Sequence, residues 1–346
     1  MQTLTASRGA ERALVAGMAA ARKLARPHLG DLHLSTFFLP RHKRDAVCVI
    51  VAFCAMIDEA IDVPPEQIRA GRTLREHPVI GHVALDQLPP ENSGDACEGD
   101  TLDARMAMLR DRLDEIYEDR LELPAVDSRS AQQHALHAVA HVVHEHEIEK
   151  SLLIQLAEGC RLARTKRLFR DWPELEQYCN ATAGAVGAMV SAVLGARHSE
   201  ARRQAMTLAR AIRLTTILRN LRRRAAKGFV LAPLEELQRF AITASDLATS
   251  KPTDAARELV KFQIARARRT YRAALEGICW LADDGSRMAA ATSAVTGAAI
   301  LHAIERNGYD VFSRRIQLST AQRLLRIPAA VKLARRNDGE PIPNVI

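Results

Sequence analysis

The chain has 346 residues, of which 47% are hydrophobic but only 4% aromatic, and it carries a net charge of +8. That length suits one large domain or two small ones. The basic balance is compatible with polyanions, anionic lipid surfaces and diphosphate-bearing small molecules. No RNP-like motif, zinc-finger spacing or aromatic-basic interleaving marks a nucleic-acid binder.

Ala, Leu and Arg dominate with few β-branched runs, which favours helix over strand. Cys48, Cys54, Cys97, Cys160, Cys179 and Cys279 are scattered without a C-x-x-C pair, so reduced core thiols are expected. The N-terminus lacks the apolar stretch of a signal peptide. No uninterrupted apolar run approaches the roughly 18 residues of a membrane span. A cytoplasmic protein is the expectation.

Periodicity predicts helices near 8–26 and 42–62. The second ends on Asp58-Glu59-Ala60-Ile61-Asp62, with Asp58 and Asp62 one turn apart on one face of an apolar helix. Two buried like charges need a cation between them. Hard oxygen ligands of this kind point to Mg²⁺ carrying a phosphorylated substrate. A helix end running into solvent is the alternative, because Val63-Pro64-Pro65 follows at once. Residues 63–102, with their prolines and acidic, Gly-bearing stretch, read as an exposed connection.

Helices follow near 103–121 and 129–164. His134, His137, His141 and His144 make a row in the second, but it lacks an H-E-x-x-H arrangement and its Glu-rich surroundings favour an exposed face over a zinc site. Asp171-Trp172-Pro173 opens a helix near 173–196. Within it Gly184 and Gly187 cost helix propensity, which close packing or room for an apolar ligand would explain. In the helix near 199–226, Arg213, Thr216, Ile217, Asn220 and Arg224 share one stripe. Arg222 and Arg223 suit a solvated helix C-terminus, but Arg213 sits among Leu208, Ile212, Leu214 and Ile217.

Further helices are expected near 233–240, 253–283, 286–306 and 319–336, with 337–346 a flexible tail. The basic stretch from Phe312 to Arg336 reads first as solvated, and second as a diphosphate-binding rim or a peripheral membrane contact. No repeat is visible. One all-α domain spanning 1–346, with long helices around a cavity, is the simplest architecture.

Four segments, in order over about 25–336, resemble the squalene/phytoene synthase family of prenyltransferases. They are Phe38-Leu39-Pro40…Lys43-Arg44-Asp45-Ala46…Ala52-Phe53-Cys54 running on to Asp58 and Asp62, and Glu176-Gln177-Tyr178-Cys179…Ala183-Gly184-Ala185-Val186-Gly187. The third is Leu214-Thr215-Thr216-Ile217-Leu218-Arg219-Asn220…Lys227-Gly228-Phe229-Val230-Leu231-Ala232-Pro233. The last is Ile300-Leu301…Tyr309-Asp310-Val311-Phe312…Arg315-Ile316. The resemblance implies an isoprenoid synthase fold, in which helices surround an apolar channel with two Asp-rich helices at its mouth. It also implies Mg²⁺ bridging carboxylates to an allylic prenyl diphosphate, whose C–O bond then ionises. Typical members join two such diphosphates head to head.

The chain departs from that pattern. The first and last Asp of the second motif fall on Asn220 and Arg224, and the Gln and Asn before it become Arg213 and Thr216. A Tyr becomes Val51, an Arg becomes Ala55, and the Arg and Tyr of the third segment become Phe229 and Leu231. Another Tyr becomes Gly297, so a roomier cavity is expected, lined by Val51, Ala55, Tyr178, Ala183, Gly184, Gly187, Thr216 and Gly297. By the resemblance, Asp58 and Asp62 bind Mg²⁺ with Glu59 as an outer-shell partner. Arg213, Arg219, Asn220, Arg224, Arg315 and Arg323 then hold the diphosphate. Losing one carboxylate pair is consistent with ionising a single diphosphate and transferring its prenyl group to a neutral small-molecule acceptor, such as an aromatic ring, in secondary metabolism. His33 and His302 are weak candidates for its base. Head-to-head condensation is the alternative. A non-catalytic partner, in which Arg213 and Arg224 neutralise Asp58 and Asp62, is the third reading.

Overall fold

The computed structural model describes residues 2–62, 98–121, 131–196 and 200–345. Helix α1 (Gln2–Ala25) leads through α2 (His33–Thr36) to α3 (Arg41–Asp62). Most of the expected connection at 63–102 lies outside the described residues, and so does Cys97. Then come α4 (Glu98–Tyr117), α5 (Ala131–Glu145) and α6 (Lys150–Thr165). The single helix expected over 129–164 is therefore two. Glu147 turns the chain with a φ of 48°, and the turn carries Ile148 into the core, where a continued polar helix face would not reach.

Helix α7 (Trp172–Cys179) opens where the Asp171 carboxylate accepts a hydrogen bond from the Glu174 amide at 3.0 Å and Pro173 fills the first turn. Residues Asn180–Gly184 widen into a π-helical turn before α8 (Ala185–Val193). Helix α9 (Ala201–Arg219) is broken at Asn220 from the short α10 (Leu221–Ala225). Two short strands, which helical periodicity did not announce, pair in parallel: β1 (Leu168–Phe169) with β2 (Val230–Pro233).

Helices α11 (Leu234–Arg239), α12 (Ala244–Ala248), α13 (Asp254–Leu275) and α14 (Ser286–Arg306) follow. The basic helix expected over 319–336 is split into α15 (Thr320–Leu324) and α16 (Ile327–Ala334). Pro328 has no amide to continue a helix but suits the first turn of a new one. Residues 337–345, expected as a flexible tail, pack Ile342 and Val345 against the core.

Helix α9 runs through the middle, against α8, α13 and α14. The core is rich in Ala, so helices approach closely. A Cβ on Gly187 would lie 2.6 Å from the Ala205 carbonyl oxygen and 2.7 Å from the Ala209 Cβ, and only glycine fits that crossing. Among the described helices α14 alone is long and apolar enough to cross a membrane. Its Ala291, Ala294 and Leu301 are wholly buried against neighbouring helices, as in the central helix of a packed bundle.

Lys43, within the first family-like segment, latches α3 to the start of α14. Its Nζ lies 2.8 Å from Asp284 Oδ2 and donates to Ser286 Oγ at 3.2 Å. Burial pushes the Asp284 carboxyl up, but hydrogen bonds from Lys43 and Ser286 outweigh it and hold it at about 2. A carboxyl held below its ordinary value lends stability above about pH 4 and withdraws it as pH falls towards 2. Thermal unfolding followed by circular dichroism should therefore lose more between about pH 5 and pH 2 in the native sequence than in Asp284→Asn. Equal losses would remove the latch from the account.

Candidate active site

Helices α3 and α6 pack side by side and bring Asp58 to Arg164. The Asp58 side chain is 3% exposed and that of Arg164 11%. Arg164 Nη2 donates to Asp58 Oδ1 at 2.9 Å and to the Asp58 backbone carbonyl at 3.0 Å. Its Nη1 donates to the Cys160 carbonyl at 3.0 Å, which fixes the guanidinium from its own helix. The carboxylate expected to face a metal is held by an arginine instead. Asp62 closes α3 one turn further on, and its side chain lies outside the described residues. Glu59 is half-buried.

One turn back along both helices, Cys54 and Cys160 line an apolar cavity of about 180 Å³. Burial, with the Asp58 charge second, pushes the Cys54 thiol up to about 12 and raises Cys160 well above its ordinary value. Both therefore present neutral sulfur. Val51, Ala183, Gly187 and Thr216 share the wall. Ala55, Tyr178 and Gly184 are buried but do not line it. The π-helical turn aims Thr182 and Ala183 at the cavity, and it fits because Gly159 on α6 leaves room: a Cβ there would lie 2.8 Å from Thr182 Cγ2.

Among the lining residues Arg213 alone is charged. It is 4% exposed. Its Nη2 donates to the Tyr178 hydroxyl, and its guanidinium carbon stands 5.2 Å from the centre of that ring. Its Nε has no hydrogen-bond partner. The pairing of Arg213 with Asp58 in the third reading is thus replaced by two separate contacts, Arg164 with Asp58 and Arg213 with Tyr178.

Gly297 does not enlarge the cavity as expected. A Cβ there would lie 2.1 Å from the Tyr271 hydroxyl oxygen and 3.0 Å from its Cζ. Tyr271, wholly buried on α13, fills the space, with its hydroxyl 3.1 Å from Thr215 Oγ1. Only a pocket of about 20 Å³ remains beside Gly297 and Thr216.

At the end of α9, Asn220 is 4% exposed; its Nδ2 donates to the Thr216 carbonyl at 3.0 Å and its Oδ1 accepts from Arg223 at 3.2 Å. Arg219 and Arg224 are buried beside it. Arg222 donates to the Phe312 carbonyl at 3.0 Å, tying the C-terminal stretch to this end of α9. There Arg315 is exposed and Arg323 half-buried. Arg167, just before β1, stacks 3.9 Å over the ring of Phe229, just before β2, so a cation stands over the position where the family pattern has an arginine.

A divalent ion of the Mg²⁺ type needs several oxygen donors. Here Asp58 is taken by Arg164, Asn220 gives its carbonyl oxygen to Arg223, and Arg224 brings a positive charge where the family pattern has a carboxylate. The described donor set does not fit an Mg²⁺ cluster bridging two motifs. The other candidates stand apart. His33 is exposed and stacked on Phe37 at 5.0 Å, and His302 is exposed 3.5 Å from Glu305. Along the histidine row His141 pairs with Glu145 and His144 contacts the Ile116 carbonyl. Among the described residues no group of three or more His, Cys, Asp or Glu could hold a metal.

Arg164→Leu should cost about 3–5 kcal/mol of unfolding free energy, because it leaves a buried anion uncompensated. Asp58→Asn should cost less, since an amide oxygen still accepts from Arg164. Urea denaturation of the two variants reads the order. Gly297→Ala should cost about 1–3 kcal/mol by overpacking, and adding Tyr271→Phe should relieve part of it in a double-mutant cycle.

Comparison with known proteins agrees with this geometry at the level of fold and family. The squalene/phytoene synthase family model matches residues 25–322. A phytoene synthase of Arthrospira platensis is 35% identical over 190 residues, covering 51% of this chain and 61% of that protein. A 15-cis-phytoene synthase of Synechocystis is 28% identical over 321 residues, covering 89% and 82%. The chain thus spans less than two thirds of the first relative and more than four fifths of the second. A dehydrosqualene synthase crystal structure superposes with a TM-score of 0.72 at 19% identity, covering 92% of this chain and 96% of that one. Squalene synthase HpnC from Alicyclobacillus acidocaldarius gives 0.66 at 21%, covering 86% and 96%. Members of this family are generally dependent on divalent metal. With a family model covering most of its length and an all-α isoprenoid synthase fold, the chain belongs to the squalene/phytoene synthase family of prenyltransferases.

Proposed function

We propose that this prenyltransferase joins two prenyl diphosphates head to head. The observation that carries the reading is the cavity: an apolar wall suited to isoprenoid chains, with one buried guanidinium, Arg213, to meet an anionic head group. The similarity to a phytoene synthase and a 15-cis-phytoene synthase supports the same reaction class. In that class the first step breaks the C–O bond of an allylic diphosphate, the electron pair leaving on the diphosphate oxygen. Cationic groups at the leaving group lower its barrier.

Transfer of one prenyl group to a neutral acceptor in secondary metabolism is the second reading. It is favoured by Asn220 and Arg224, which remove the carboxylates that would organise a second diphosphate through metal. Under either reading the substrates are amphipathic, and the enzyme works in the cytoplasm against an anionic lipid surface. Leu325, 77% exposed between Arg323 and Arg326, supports that placement.

Purified protein given farnesyl or geranylgeranyl diphosphate alone should release diphosphate and form a C30 or C40 product detectable by mass spectrometry. Release that begins only when an aromatic acceptor is added would replace the first reading with the second. No release under either condition would sink both.

A further inference from the structure

We infer that this chain holds the diphosphate of its substrate on guanidinium groups rather than on a metal, with Arg164 standing on Asp58 where a divalent ion would stand. The inference rests on the reading that the ligand is a prenyl diphosphate. Three observations carry it. First, Arg164 is bonded to both the carboxylate and the backbone carbonyl of Asp58 and is tethered to Cys160, so the positive charge at this carboxylate is covalently part of the protein. Second, the end of α9 carries buried Asn220 and Arg224 where the family pattern has carboxylates, and a divalent cation placed there would meet like charge on Arg224. Third, Arg213 lines the cavity, is 4% exposed, and keeps its Nε without a hydrogen-bond partner. A buried charged donor left unmet is costly, and a diphosphate oxygen is the acceptor that suits it. Arginine matches such oxygens through a planar fork of donors, which lets it replace the geometry as well as the charge of an ion.

The experiment uses inorganic pyrophosphate as the probe and titration calorimetry as the readout, so it does not depend on turnover. The native sequence should bind pyrophosphate in EDTA within about threefold of its affinity in millimolar Mg²⁺. Arg213→Gln should weaken that binding by about tenfold or more, the loss of one charge-assisted contact, while Arg213→Lys should recover part of it. Mg²⁺ alone should leave the melting temperature of the native sequence unchanged but raise that of Arg164→Gln, in which Asp58 is released to act as a ligand. Pyrophosphate binding that needs Mg²⁺, stabilisation of the native sequence by Mg²⁺ alone, or an Arg213→Gln variant that binds undiminished would each overturn the inference. If Arg213→Gln does not fold by circular dichroism, the comparison of EDTA with Mg²⁺ decides. The reaction proposed above fails independently: metal-free pyrophosphate binding without any C30 or C40 product refutes that reading and leaves this one standing.

Discussion

An ionised carboxylate inside an apolar helix must be met by a cation, and in this protein Arg164 meets Asp58. That constraint organises the functional end of the bundle. It locks α3 to α6 at one level, so that Cys54 and Cys160, a turn below on the same two helices, form the neutral ceiling of the cavity. It also settles the electrostatics of the mouth in advance. A buried ion pair adds little net stability over an apolar substitute, yet either partner alone is expensive to leave. The pair is thus better understood as a fixed charge arrangement than as a structural rivet.

The same economy of charge recurs away from Asp58. With only 4% aromatic residues, the protein places guanidinium groups on several of those it has. Arg213 stands on Tyr178, Arg167 on Phe229, and Arg266 lies 4.0 Å over Trp172 while pairing with the buried Glu236. An aromatic face lets a large cation lose water without demanding a carboxylate. Arg213 and Arg167 can therefore approach the apolar interior on an aromatic face, while Arg266 adds the buried Glu236 to its ring contact.

The helices were legible because their cues are local: apolar spacing, the Asp171 cap and Pro173 at the start of α7, and the close-packing glycine at 187. Four of the residues expected along the cavity, Val51, Ala183, Gly187 and Thr216, do line it, read from helix faces and family-like segments, and the apolar helix face carrying Asp58 is buried as its pattern implied. Partners were not. Arg164 lies 106 residues from Asp58, in a basic helix end that looks solvated, and nothing local to either residue announces the contact. Gly297 misled for a related reason: a lost side chain predicts space only if no neighbour moves in, and Tyr271 belongs to a different helix. The break at Glu147 and the π-helical turn at Asn180–Gly184 likewise follow from tertiary demands, one to bury Ile148 and the other to meet Gly159 across a helix crossing.

Arg213 also constrains how carbocation chemistry can be arranged here. At an effective dielectric of about 20, a positive charge roughly 5 Å from another costs about 3 kcal/mol, enough to slow a step by more than a hundredfold. An allylic cation formed beside a bare Arg213 would bear that cost. The cost disappears if the departing diphosphate stays between them, because the guanidinium then stabilises the leaving group and the leaving group screens the guanidinium. With a prenyl diphosphate bound as proposed, the residue would favour a tight ion pair, in which the anion remains at the Arg213 level and the isoprenoid chain extends towards the uncharged wall of Val51, Ala183 and Gly187. A channel with a neutral glutamine at that position would impose no such order, and the substitution to arginine links where the diphosphate rests to where positive carbon can form.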